Sequence, residues 1–119
     1  MALEKEFGKD KPLLTTSIVA SMLDITPDRL RTYDTEKLIK THRKTTGQVQ
    51  KRLYSQNDVE WLRCLRILIQ KHKLSIASIK IILQLMHKNP IINFPKNEIG
   101  KTLEEMQNNP NFKIIVKNF

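Results

Sequence analysis

The chain is poor in the residues that most chemistry requires. It has one cysteine, Cys64. A single thiol forms neither an internal disulfide nor a thiolate metal cluster, and this usage fits a reducing cytosol. Its three glycines, Gly8, Gly47 and Gly100, stand alone. No Gly-rich phosphate loop is therefore written in it. His42, His72 and His87 are not at metal-ligand spacing, and no cluster of carboxylates accompanies them. No apolar run reaches the ~18 residues of a membrane span. Met1 to Lys11 carries no apolar stretch of the kind a secretory signal needs. The expectation is a cytoplasmic protein that is not an enzyme and uses no cofactor or metal.

What the sequence has in excess is positive charge. Lys and Arg number 21 against 12 Asp and Glu, a net +9 over 119 residues. A polyanion is the leading partner, nucleic acid ahead of membrane, with a merely basic surface as the alternative. Position favours a binding surface. Arg29 to Lys73 holds 12 Lys and Arg against 4 Asp and Glu, nearly all of the excess. A chain of this length buries a small core, so the fold can lean on a second copy or a partner.

Residues 1–12 read as a loose polar lead-in. Leu13 to Thr16 can add a short extended piece, and Thr16 or Ser17 can cap a helix whose Ile18, Val19, Met22 and Leu23 share one face. Asp24-Ile25 interrupts it. Thr26 then caps a second helix with Pro27 at its first position and Asp28 at its positive end. Leu30 and Tyr33 point inward, and Leu38-Ile39 close a helix-turn-helix. Lys40 to Tyr54 contains five Lys and Arg and no acid. Its β-branched residues flank Thr46-Gly47, which predicts a β-hairpin with a basic tip, a disordered linker being the alternative. Ser55 with Asp58 three residues on makes an acidic capping box. Val59, Trp61, Leu62, Leu65, Leu68 and Ile69 form a stripe that runs to about Lys71. Ser75 caps another helix bearing Ile76, Ile79, Ile82, Leu83 and Met86, stopped by Asn89-Pro90. The remainder is rich in Asn and broken by Pro95, Gly100 and Pro110, with a short helix over Thr102 to Gln107 and an apolar end.

A helix-turn-helix lays its second helix in the major groove, N-terminal residues nearest the bases. Arg29 is the candidate base reader, because Arg fits guanine O6 and N7. Arg31 and Tyr33 are candidate phosphate contacts, Tyr33 by a buried ring with its hydroxyl on a backbone oxygen. Thr16 and Thr32 join the DNA-contacting set. Arg43, Lys44, Lys51 and Arg52 on the hairpin would reach the next groove's phosphates.

Residues 14–86 resemble the DNA-binding domain of the MerR family of bacterial transcription regulators. The resemblance rests on Thr26-Pro27-Asp28-Arg29-Leu30-Arg31-Thr32-Tyr33-Asp34, then Lys37-Leu38-Ile39, Arg52-Leu53-Tyr54-Ser55, Asp58-Val59 and Leu74 to Lys80. It implies a mainly α fold, a winged helix-turn-helix with a small β-hairpin wing, over residues 13–88. It also implies phosphate contacts at Arg31, Tyr33, Arg43 and Arg52, with Tyr54 packing the wing and touching the DNA backbone. The chain departs from the family pattern at Thr32, where a second tyrosine is usual. It departs again at Lys37, where glycine is usual; a left-handed residue there costs about 1 kcal/mol, so that helix end is expected to be built differently. Pro90, Pro95, Gly100 and Pro110 also forbid the long antiparallel helix of typical members. The short tail is similar to that of the HspR and GlnR types, or of small MerR-like activators.

Residues 89–119 are therefore expected to serve dimerisation or partner docking. The anchors would be Phe112, Ile114, Ile115, Val116 and Phe119, freed by a flexible break at Asn109-Pro110-Asn111. Three homes are open to this cluster: the protein's own core, a second copy, or another protein, of which the last is preferred. The function expected is a sequence-specific regulator at bacterial promoters, binding double-stranded DNA as a homodimer. An activator docking on RNA polymerase or a polymerase-associated protein suits the tail. The alternative is an excisionase-like architectural factor that bends DNA. Oxidation sensing at Cys64, activated by Arg63 and Arg66, is a minor possibility.

Overall fold

A computed structural model describes residues 8–119; the expectation for residues 1–7 lies outside it. The described part of the lead-in is tied down. The Lys9 carbonyl accepts from the Asn57 N–H at 2.9 Å, and Lys9 Nζ meets Glu60 at 3.2 Å. The extended piece is β1, Leu14–Thr15. Helix α1, Thr16–Leu23, is capped by Thr15, one residue earlier than expected, whose Oγ1 accepts from the Ile18 N–H. Its inner face is Val19, Ala20 and Leu23, while Ile18 and Met22 are exposed. The helix carries apolar residues around much of its circumference, so the pattern alone did not select the buried side.

Helix α2, Pro27–Thr35, starts as expected: Thr26 caps it, Pro27 opens it, and Leu30 and Tyr33 are buried. Its end differs from expectation. Lys37 takes the left-handed conformation (φ 62°) despite its Cβ. The Lys37 N–H donates to the Asp34 carbonyl at 3.0 Å, and the Leu38 N–H donates to the Tyr33 carbonyl at 2.9 Å. This is the Schellman arrangement that glycine normally supplies. Burial of Leu38 and Ile39 just beyond it holds the lysine there.

Strands β2, His42–Thr46, and β3, Val49–Tyr54, form the wing, with Gly47 left-handed at its tip. The sheet order is β1-β3-β2, all antiparallel. Ser55 and Asp58 form the capping box of α3, Gln56–Arg66, whose last turn widens into a π-helical stretch, Ile67–Lys71. Helix α4, Ile76–Lys88, is capped by Ser75 and ends at Asn89. Trp61, Leu62, Leu65, Leu68, Ile79 and Leu83 are fully buried among these elements.

The tail is a correction. It folds as two helices, α5, Glu98–Gln107, and α6, Asn111–Val116, both returned onto the preceding helices. Phe112, Ile115 and Val116 are buried in its core. They are therefore not free anchors; only Ile114 is exposed and Phe119 half-buried. Nor is Asn109-Pro110-Asn111 a flexible break. Asn109 donates to the Asn57 carbonyl at 3.0 Å, and buried Asn111 donates to Asp58 Oδ1 at 2.9 Å. At the other end, Lys71 and His72 bind Glu98 and lower its pKa. A buried Gly100 admits the Pro95 carbonyl so closely that any Cβ would overlap it.

Two outcomes follow for urea denaturation. Lys37→Gly, which removes the left-handed penalty, should raise unfolding free energy by about 1 kcal/mol. Asn111→Ala, which strands a buried carboxylate oxygen, should lower it by about 1–3 kcal/mol.

Candidate nucleic-acid interface

The start of α1, the start of α2 and strand β3 converge on one open groove of about 480 Å³. Thr15, Thr16, Ser17, Arg31, Lys51 and Arg52 line it, with Pro27 and Gln50. Four of the residues picked from the sequence, Thr16, Arg31, Lys51 and Arg52, are thereby brought together. Hydroxyls at a helix N-terminus beside three cations form a surface suited to phosphate oxygens. Arg31 is held by Asp28 at 2.8 Å, an exposed pair within the helix that phosphate can displace at little cost.

Arg29 and Thr32 face elsewhere. They line a second depression with Thr26, Asp28, Ile69 and Ile76, on the α4 side of the recognition helix. Arg29 is exposed. The Thr32 hydroxyl donates to the Asp28 carbonyl at 3.0 Å, so its proton is used inside the helix.

Both tyrosines require correction as backbone contacts. Tyr33 and Tyr54 are fully buried, and among the described residues neither hydroxyl has a hydrogen-bond partner. Burial raises the Tyr54 pKa, with the neighbouring Thr16 side chain acting in the opposite sense. Their rings fill the core beneath the interface, so neither hydroxyl reaches a phosphate in this conformation.

The wing stacks like charges. Arg43 lies opposite Arg52 and Lys44 opposite Lys51 in the β2–β3 register, an arrangement that is unfavourable by itself. Asp34 relieves the first pair: its Oδ2 accepts from Arg43 Nη2 at 2.9 Å and from Arg52 Nε at 2.8 Å. The carboxylate is 13% exposed, so this junction is better shielded than a surface salt bridge. Asp34 therefore bolts the wing to the end of the recognition helix. Its signal in the sequence is an acid at the end of the recognition helix, followed from Lys40 to Tyr54 by a wing without acids. The second pair, Lys44 and Lys51, has no ion-pair partner among the described residues.

Cys64 is buried, against the expectation of an activated thiol. Burial, and then the charge of Glu105, push its pKa up to about 12, the reverse of an activated thiol. Among the described residues, no three His, Cys, Asp or Glu side chains assemble into a metal site, and no helix is long and apolar enough to cross a membrane.

A family model described as "MerR HTH family regulatory protein" matches residues 14–86. A curated Streptomyces coelicolor protein that carries the name heat shock protein HspR is 35% identical over 99 residues. The match takes in 83% of this chain and 64% of that protein.

Asp34→Asn should cost about 1–3 kcal/mol of stability by loss of charged hydrogen bonds. Adding Arg43→Gln should recover part of it, because the arginines then no longer oppose each other; a double-mutant cycle in urea measures the coupling. A thiol held at about 12 also makes stability fall as pH rises from about 9 to about 12. There the unfolded chain loses its proton and the folded one keeps it. The Cys64→Ala variant should lack that component.

Proposed function

Because the chain belongs to the MerR HTH family of regulatory proteins, we propose that it is a sequence-specific DNA-binding transcription regulator acting at bacterial promoters in the cytoplasm. The observation that carries this reading is the wing's stacked positive pairs, one bridged by Asp34 and one without an anion among the described residues, beside the groove of Thr16, Arg31, Lys51 and Arg52. In the proposed complex these residues and Lys44 hold phosphates, and the exposed Arg29 at the start of α2 reads a base. Tyr33 and Tyr54 support this surface from beneath. A homodimer on double-stranded DNA belongs to the same proposal, as does docking of an activator on RNA polymerase or a polymerase-associated protein. Of the tail's apolar anchors, Ile114 and Phe119 retain exposed surface for such contacts.

Footprinting tests the function. A footprint between the −35 and −10 elements supports a promoter regulator. A phased array at an attachment site would replace it with the excisionase-like architectural reading. For the contacts, DNA titrations at several salt concentrations should give a salt slope lower by about 1 for Arg31→Ala, with all sequences weakened alike. Arg29→Ala should cost roughly 1–3 kcal/mol at one base position. An unchanged logo from a randomised DNA pool would remove Arg29 from base reading.

A further inference from the structure

Helix α4 buries Ile79, Leu83 and Met86 and turns Ile81 and Leu85, one helical turn apart, outward at 57% and 55% exposure. Beside them, Val116 of α6 completes a groove of about 280 Å³ whose rim includes His87 and Lys88. Past Ile81 and Gln84 the surface continues into a shallower depression of about 500 Å³ that reaches Lys80 and Phe119. On α4 the exposed apolar face runs from Ala77 through Ile81 to Leu85, about 12 Å or just over two helical turns. None of its lining residues lines the DNA-facing groove.

The charge around this strip is predominantly positive. No Asp or Glu occurs between Glu60 and Glu98, and none after Glu105. The lining contributes Lys37, Lys80 and Lys88. The one carboxylate in the lining, Glu36, is held by Lys80 at 3.3 Å. A second copy docked symmetrically would bring this basic rim against itself. An apolar strip of helical length inside a basic rim is complementary to a helix with large aliphatic residues on one face and carboxylates at its flanks.

We propose that the α4–α6 groove docks an acidic amphipathic helix of another protein. The apolar face would lie over Ile81, Leu85 and Val116, and its carboxylates would meet Lys80 and Lys88. The surface is separate from the proposed DNA contacts, so a promoter-bound molecule keeps it open. Two fluorescent helical peptides of about three turns test this against the full chain, each with Leu on one face, one with Glu and the other with Lys elsewhere. The Glu peptide should bind, and Ile81→Glu with Leu85→Glu should weaken it at least about tenfold. Both positions are exposed, and an unchanged melting temperature and DNA affinity would show that fold and DNA surface are intact. Lys88→Glu should weaken the Glu peptide and leave the fold unchanged. Equal binding of the Lys peptide overturns the proposal, as does binding of the Glu peptide that ignores Ile81 and Leu85 and is competed by DNA. Light scattering that shows a dimer lost in the Ile81→Glu, Leu85→Glu variant assigns the groove to a second copy and overturns it as well.

Discussion

Trp61 puts an indole N–H in a position with no access to water, and the Leu38 carbonyl accepts it at 2.6 Å. A large aromatic can fill the centre of a small core only if its polar edge finds such a partner. Leu38 offers one because the chain has turned through the left-handed Lys37 and pinned the Leu38 N–H to Tyr33. The end of the recognition helix, the turn after it and the middle of α3 thus form one constraint. Arg66 adds to it by donating to the Leu23 carbonyl at 2.6 Å, at the end of α1. Both helices of the helix-turn-helix are in this way referenced to the same buried helix, and their orientation does not depend on exposed contacts.

The wing is referenced to that frame by charge. A two-stranded ribbon is marginal in water, and this one faces Arg with Arg and Lys with Lys across its strands. One largely shielded carboxylate, Asp34, makes the inner pair compatible with folding. The outer pair is left to solvent and salt. The electrostatic field is therefore graded, fixed near the recognition helix and open toward the tip.

What was legible in the sequence was local. Thr26-Pro27, Ser55 with Asp58, and Ser75 fix helix starts through bonds to neighbours within three residues, and each is found where expected. Thr46-Gly47 likewise marks the hairpin tip. What was not legible depends on contacts between distant residues. Asn109 and Asn111 read as breakers because Asn favours turns, yet their amides serve the start of α3, more than fifty residues away in sequence. Lys37 accepts a costly backbone conformation because burial on either side outweighs it. Residue type puts the Tyr33 hydroxyl on DNA, and the family resemblance puts Tyr54 there, whereas packing covers both hydroxyls. Asp34 lay inside the most informative motif, but its role depends on the strand register that opposes Arg43 to Arg52.

The buried thiol of Cys64 has a use in measurement. It sits on α3 next to Glu105 of the tail, which is ion-paired with Arg63. A thiol reagent reaches the sulfur only in molecules where that covering layer has opened, so the labelling rate counts openings. When opening and reclosing are fast relative to modification, the rate gives the free energy of that opening. Because the chain has a single cysteine, the signal comes from one site without any engineering. Compared with the free energy of global unfolding, it would tell whether the tail lifts by itself or only when the whole core melts.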